Sequence, residues 1–139
     1  MPIYVQWDAS YSVGHALLDR QHQKLLNLCN ELQDCLEAEP QAARFRFHGI
    51  LHELMQYAQV HFRTEEDLMQ RCAYAELASH QLEHDAFEQQ IADWAYAATM
   101  DSMNIAEVQR YIAQWWQSHI LVSDMGYKGL LESRPRPLP

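Results

Sequence analysis

No glycine falls between Gly49 and Gly126, and no run of alternating β-branched residues appears anywhere in the chain. Helical periodicity takes their place, in four blocks. The first runs from about Asp19 to Ala38, and Leu18, His22, Leu25, Leu26, Cys29, Leu32 and Leu36 form one stripe along it. Pro40 is expected to end it. The second extends from near Gln41 to about Arg71, with Ile50, Leu51, Leu54, Tyr57, His61, Leu68 and Met69 inward. The third opens at Ser79, an expected N-cap, and its stripe is His80, His84, Phe87, Ile91 and Trp94. Asp101, Ser102 and Asn104 mark a break before the fourth, whose stripe is Ile105, Val108, Ile112, Trp115, Trp116, His119 and Val122. Four amphipathic helices with short connections predict an all-α, up-down-up-down antiparallel four-helix bundle. Residues 1–18 read as an N-terminal arm and 19–130 as the bundle. Residues 131–139 ("SRPRPLP" at their end) read as an extended tail or the start of a linker.

The 139 residues suffice for one domain with a real core. A formal net charge of −9 argues against a nucleic-acid partner and against an anionic membrane surface. No apolar run reaches transmembrane length and the N-terminus carries no secretory pattern, so cytoplasm is the expected compartment. Three cysteines with no C-x-x-C spacing support neither a disulfide framework nor a zinc ribbon. Cys29 and Cys35 read as small core residues.

Eight histidines are the unusual figure, and each of the four stripes carries at least one. His61 and Glu65, four apart, differ by about 40° on a helix and share a face, as do His80 and His84. Taken singly, a histidine on an apolar stripe is most often a core residue bonded through one nitrogen. Together, five imidazoles (His22, His61, His80, His84, His119) and two carboxylates (Glu65, Asp124) on core-facing sides would be costly to bury without partners. A metal centre removes that cost for all of them. His15, His48 and His52 serve as controls: they precede the first helix or point away, and are expected to be exposed or at the rim. His119 and Asp124 are five apart, about 140° on an ideal helix. A local π-type widening, or two metals offset along the axis, would reconcile them.

Nitrogen and carboxylate donors without thiolate suit iron, manganese or zinc. Seven ligands are too many for one metal and natural for two. If both carboxylates bridge, together with a solvent-derived oxygen, dividing the histidines three and two leaves one open coordination position walled by apolar side chains. The Glu-x-x-His pairs of ferritin-like di-iron proteins are missing. So is H-E-x-x-H; "HELMQ" at 52–56 lacks the second histidine. No further carboxylate or histidine is placed as a general base, which argues against hydrolysis, and no enzymatic activity is expected.

The ordered set "WDAS", "LDRQH", "HFRTEEDLM", "HQLEHDAF" and "WWQSHILVSDMGYKG", spanning residues 7–129, resembles the hemerythrin family. The resemblance implies a non-haem di-iron, O2-binding protein. His80, His84 and His119 would hold one iron, His22 and His61 the other, and Glu65 and Asp124 would bridge them with an oxo or hydroxo group. It also implies reversible binding of O2 at the two-histidine iron as a hydroperoxide. Trp116 departs from the aliphatic residue common in the family at this place and is expected to wall the O2 pocket. Glu66 and Asp67 are expected to be ordinary helix charges. An oxygen carrier or store is the first expectation. An O2- or redox-sensing domain, fused or bound to a signalling output such as a diguanylate cyclase or chemoreceptor, is the alternative. A peroxide- or nitric-oxide-handling enzyme is the third.

Overall fold

The computed structural model describes residues 2–99 and 103–132. Four helices carry the architecture: α1 (Ala16–Leu36), α2 (Pro40–Arg71), α3 (Leu77–Thr99) and α4 (Ile105–Ser118). A short α5 (Lys128–Glu132) follows, and no strand occurs among the described residues. α1 packs against α2 and α4, and α2 against α3. With connections this short, consecutive helices run antiparallel, giving the four-helix bundle that the periodicity predicts.

Local chemistry sets the ends. α1 begins three residues earlier than its periodicity suggested, because His15 caps it by accepting a hydrogen bond from the Leu18 N–H. Asp19 fastens the approach, accepting from the Val13 N–H at 2.9 Å and the Ser12 hydroxyl at 2.6 Å. Leu17 and Leu18, counted with the arm, are therefore helical. α1 stops at Leu36, and Pro40 opens α2 rather than closing α1. Proline suits a first helical position because that N–H has no intrahelical partner to lose. Ala73, with φ of 55°, turns the chain out of α2. Ser79 does not cap α3: the helix starts at Leu77, and the Ser79 hydroxyl donates to the Glu76 carbonyl. Asn104 caps α4 by accepting from the Glu107 N–H. Asp101, Ser102 and the tail from residue 133 lie outside the described residues; 131 and 132 belong to α5.

The arm is fastened by its backbone. The N–H groups of Ile3 and Val5 donate to Gln33 and Asn30 of α1, and the Ile3 carbonyl accepts from Gln109 of α4. No described helix is long and apolar enough to cross a membrane.

Two apolar clusters fill the interior. The larger includes Leu25, Leu28, Leu32, Phe47, Leu54, Phe87, Ile91 and Ile112; the smaller is Val13, Leu18, Met69 and Tyr127. On α1 His22 lies between Leu18 of one and Leu25 of the other; on α2 Glu65 lies between Phe62 and Met69. A polar band thus crosses the bundle between two apolar regions.

Candidate metal centre

The side chains of that band that come from α1, α2 and α3 lie on faces turned inward by the 3.6-residue period. α1 supplies His22, α2 supplies His61 and Glu65, and α3 supplies His80 and His84, while the turns that continue α4 supply His119 and Asp124. All seven are at most 3% exposed. Their donor atoms converge into two adjoining groups, Glu65 with His80, His84 and His119, and Glu65 with His22, His61 and Asp124.

Each carboxylate divides its oxygens between the groups. Glu65 Oε1 lies 3.1 Å from His80 Nε2 and 3.0 Å from His84 Nε2, while Oε2 lies 3.4 Å from His61 Nε2. Asp124 Oδ1 lies 2.8 Å from His80 Nε2 and 3.1 Å from His119 Nε2, while Oδ2 lies 3.0 Å from His22 Nε2. His119 and Asp124 both face inward because α4 passes into a π turn over His119–Ser123 and then a 3-10 turn over Asp124–Tyr127. The wider turn takes up the extra residue. It also turns Val122 outward, to 71% exposure, against its expected place on the inner stripe.

Outer partners fix the imidazoles. His84 Nδ1 sits 2.6 Å from Glu66 Oε2 and His119 Nδ1 sits 3.1 Å from Glu83 Oε1. His61 Nδ1 sits 2.7 Å from the Gln21 carbonyl oxygen. These oxygens only accept, so Nδ1 carries the hydrogen and, in the neutral ring, Nε2 presents a lone pair to the centre. Across the band His22 and His61 bring their Nε2 atoms to 3.1 Å, and His84 and His119 bring theirs to 3.2 Å. Lone pairs that close require a proton or a cation between them.

Charges in the cluster set one another. Burial alone would lower the pKa of His22 and His80, but the Asp124 and Glu65 carboxylates beside them outweigh it and raise each to about 9. His119 rises to about 10, burial being overcome chiefly by the charge of Asp124. His61 goes the other way, lowered by burial and by neighbouring His22 despite the pull of Glu65. Burial, and for Asp124 the charge of Glu65, would raise the carboxyls, yet the surrounding imidazoles hold both below the usual range. Two fully buried anions therefore draw positive charge inward.

Aromatic rings enclose the band. Phe62 stacks on His84 with centroids 3.8 Å apart, and Trp115 stacks on His119 at 4.3 Å, so Trp115 touches the site instead of being merely core. Trp116 lies 5.8 Å from His61 and 6.3 Å from His119, ring to ring. The Tyr127 hydroxyl donates to Glu65 Oε2 at 2.6 Å, and burial keeps its pKa well up, so it stays a donor.

Glu66 is thus no ordinary helix charge. Gln21, Glu83 and Tyr127 were not singled out by periodicity at all. Gln21, Glu66 and Glu83 each adjoin a stripe residue in sequence (His22, Glu65, His84), about 100° off the stripe and at the seam with the next helix. That adjacency is the signal that could have found them. Asp67 does behave as expected, pairing with Arg71 at the surface. His15 and His48 are half-buried and His52 exposed, and none joins the cluster.

Fold and site define a four-helix bundle with a buried histidine–carboxylate cluster able to hold metal. The chain belongs to the hemerythrin family: the family model described as Hemerythrin HHE cation binding domain matches residues 13–131. A hemerythrin-like protein of Naegleria gruberi is 36% identical over 131 residues, covering 94% of this chain and 97% of that one. A bacteriohemerythrin of Clostridium acetobutylicum is 28% identical over 124 residues, covering 87% and 96%. The crystal structure of a wild-type hemerythrin superposes with a TM-score of 0.85 at 26% identity, covering 94% of this chain and all of that one.

Proposed function

We propose that this chain is a non-haem di-iron protein that binds O2 reversibly, as a carrier or store. The observation that carries the reading is the division of both carboxylates between a three-histidine group and a two-histidine group. His80, His84 and His119 would hold one iron, His22 and His61 the other, with Glu65 and Asp124 bridging and an oxo or hydroxo group between the metals.

The donor chemistry fits such a centre. The set is nitrogen and carboxylate oxygen without thiolate, suited to hard or borderline cations. Asp124 Oδ2 lies within 3.0 Å of His22 Nε2 yet has no aligned hydrogen-bond partner, as expected of atoms aimed at a common point. Burying ions costs several kcal/mol each unless they are paired or coordinate a metal. Bound there, two iron ions would supply the electrons that O2 takes up on binding and gives back on release. The protein's part is to hold the donors in place, to leave a position free on the two-histidine side, and to keep water out with Phe62, Trp115 and Trp116. No acid or base beside that position is needed for a reversible reaction.

Iron analysis combined with optical spectra of the reduced protein, before and after O2, tests this. Two irons per chain and a visible ligand-to-iron band that disappears on removing O2 are expected. Loss of iron in His61→Ala and Glu65→Ala agrees with the ligand assignment; full iron in both overturns it. Reversible uptake is common to a carrier and to an O2-sensing domain, so the measurement tests the chemistry both require.

A further inference from the structure

Three buried side-chain atoms among the described residues have no hydrogen-bond partner: His22 Nδ1, Asp124 Oδ2 and Trp116 Nε1. Two belong to the cluster itself. The third belongs to a ring that lies against His61 of one group and His119 of the other. Trp116 is also the one tryptophan, among the described residues, that is fully buried; Trp7, Trp94 and Trp115 each keep some access to solvent. Its ring is held in place by near-parallel stacking on Phe62 at 5.5 Å and edge contacts with Phe87 and Trp115. An indole N–H is a donor only, and a buried donor is rarely left without an acceptor. The orphaned donor is therefore open to an acceptor that the protein itself does not supply.

We propose that Trp116 determines ligand specificity through its indole N–H, which donates a hydrogen bond to the small molecule taken up beside His61. This rests on the open position proposed above. An aliphatic wall offers such a molecule only volume. Trp116 narrows the space and adds a directed donor, so the site favours ligands with an acceptor atom or negative charge.

Azide is the probe, titrated into the oxidised, iron-loaded full chain with iron per chain measured for each variant. Trp116→Phe keeps an aromatic ring and removes the donor. Its azide dissociation constant should rise roughly 10- to 100-fold, the range for a hydrogen bond to a charged acceptor. The metal-free Trp116→Phe protein should melt within a few degrees of the parent, because the cost of the small cavity left by the smaller ring is offset by removal of an unpartnered buried donor. Trp116→Leu enlarges the space and should bind azide as weakly as Trp116→Phe. Unchanged azide affinity in Trp116→Phe, or tighter binding in Trp116→Leu than in the parent, overturns the donor role and leaves the open position standing. A parent protein that holds iron but shows no azide band overturns the open position and the donor role together.

Discussion

The two halves of the cluster are built from the same residue types but supported differently. On the three-histidine side, His84 leans on Glu66 and His119 on Glu83, and Ser123 in turn donates to Glu83 at 2.6 Å. On the two-histidine side, His61 has only the neutral Gln21, and His22 Nδ1 has no partner. An anionic partner makes an imidazole a stronger donor and fixes its ring; a neutral partner fixes it less. One half is thus braced and electron-rich, the other held more lightly. On the proposed reading, the metal that takes up and releases a small molecule would sit in the second half and the saturated one in the first.

That contrast can be tested, and pH should disturb it most. In the metal-free protein the folded pKa values of His22 and His80 are about 9 and that of His119 about 10, above the ordinary value of about 6.5. The folded state then binds more protons than the unfolded one between about 6.5 and 10. The stabilisation is fully present below about 6.5, declines as pH rises, and is gone above about 10. Urea unfolding of the metal-free protein across this range should show the decline. Stability rising with pH there would mean that the imidazoles are not held protonated by Glu65 and Asp124. Next, Glu66→Ala and Glu83→Ala should each weaken metal retention roughly 10- to 100-fold. Gln21→Ala should cost only about five-fold, the worth of a neutral hydrogen bond. Competition with a chelator measures all three, and an equal loss in all would erase the distinction between the halves. Smallest is Tyr127→Phe, which removes one donor from the carboxylate shared by both halves. It should destabilise the protein by about 1.5 kcal/mol, read as a fall of several degrees in melting temperature.

Much of this was legible in the chain because period and face are local properties. His61 and Glu65 lie on one face whatever surrounds them, and so do His80 and His84. Recurrence of histidine on all four stripes then pointed to one shared interior site. What the period does not report is what lies across an interface. Glu66 looks like Asp67 in sequence, yet Glu66 meets His84 of the neighbouring helix while Asp67 meets Arg71 of its own. Gln21 and Glu83 were missed for the same reason: adjacency to a stripe residue places them at a seam, but the period does not say what stands across it. Val122 was misplaced because a 100° rotation per residue was carried through a turn that does not obey it. The loss of period between His119 and Asp124 was visible; which of two explanations applied was not.

The π turn has one further consequence. Leu121 and Val122 within it are both exposed, Val122 at 71%, so neither side chain is needed by the interior. Their contribution is arithmetic. With one residue fewer between them, His119 and Asp124 would stand four apart on a regular α turn, about 40° from each other and on one face, as His61 and Glu65 do. One residue more than the π turn absorbs would carry Asp124 and Tyr127 away from Glu65 together, although neither had been substituted. At these positions the site is indifferent to spelling and intolerant of an insertion.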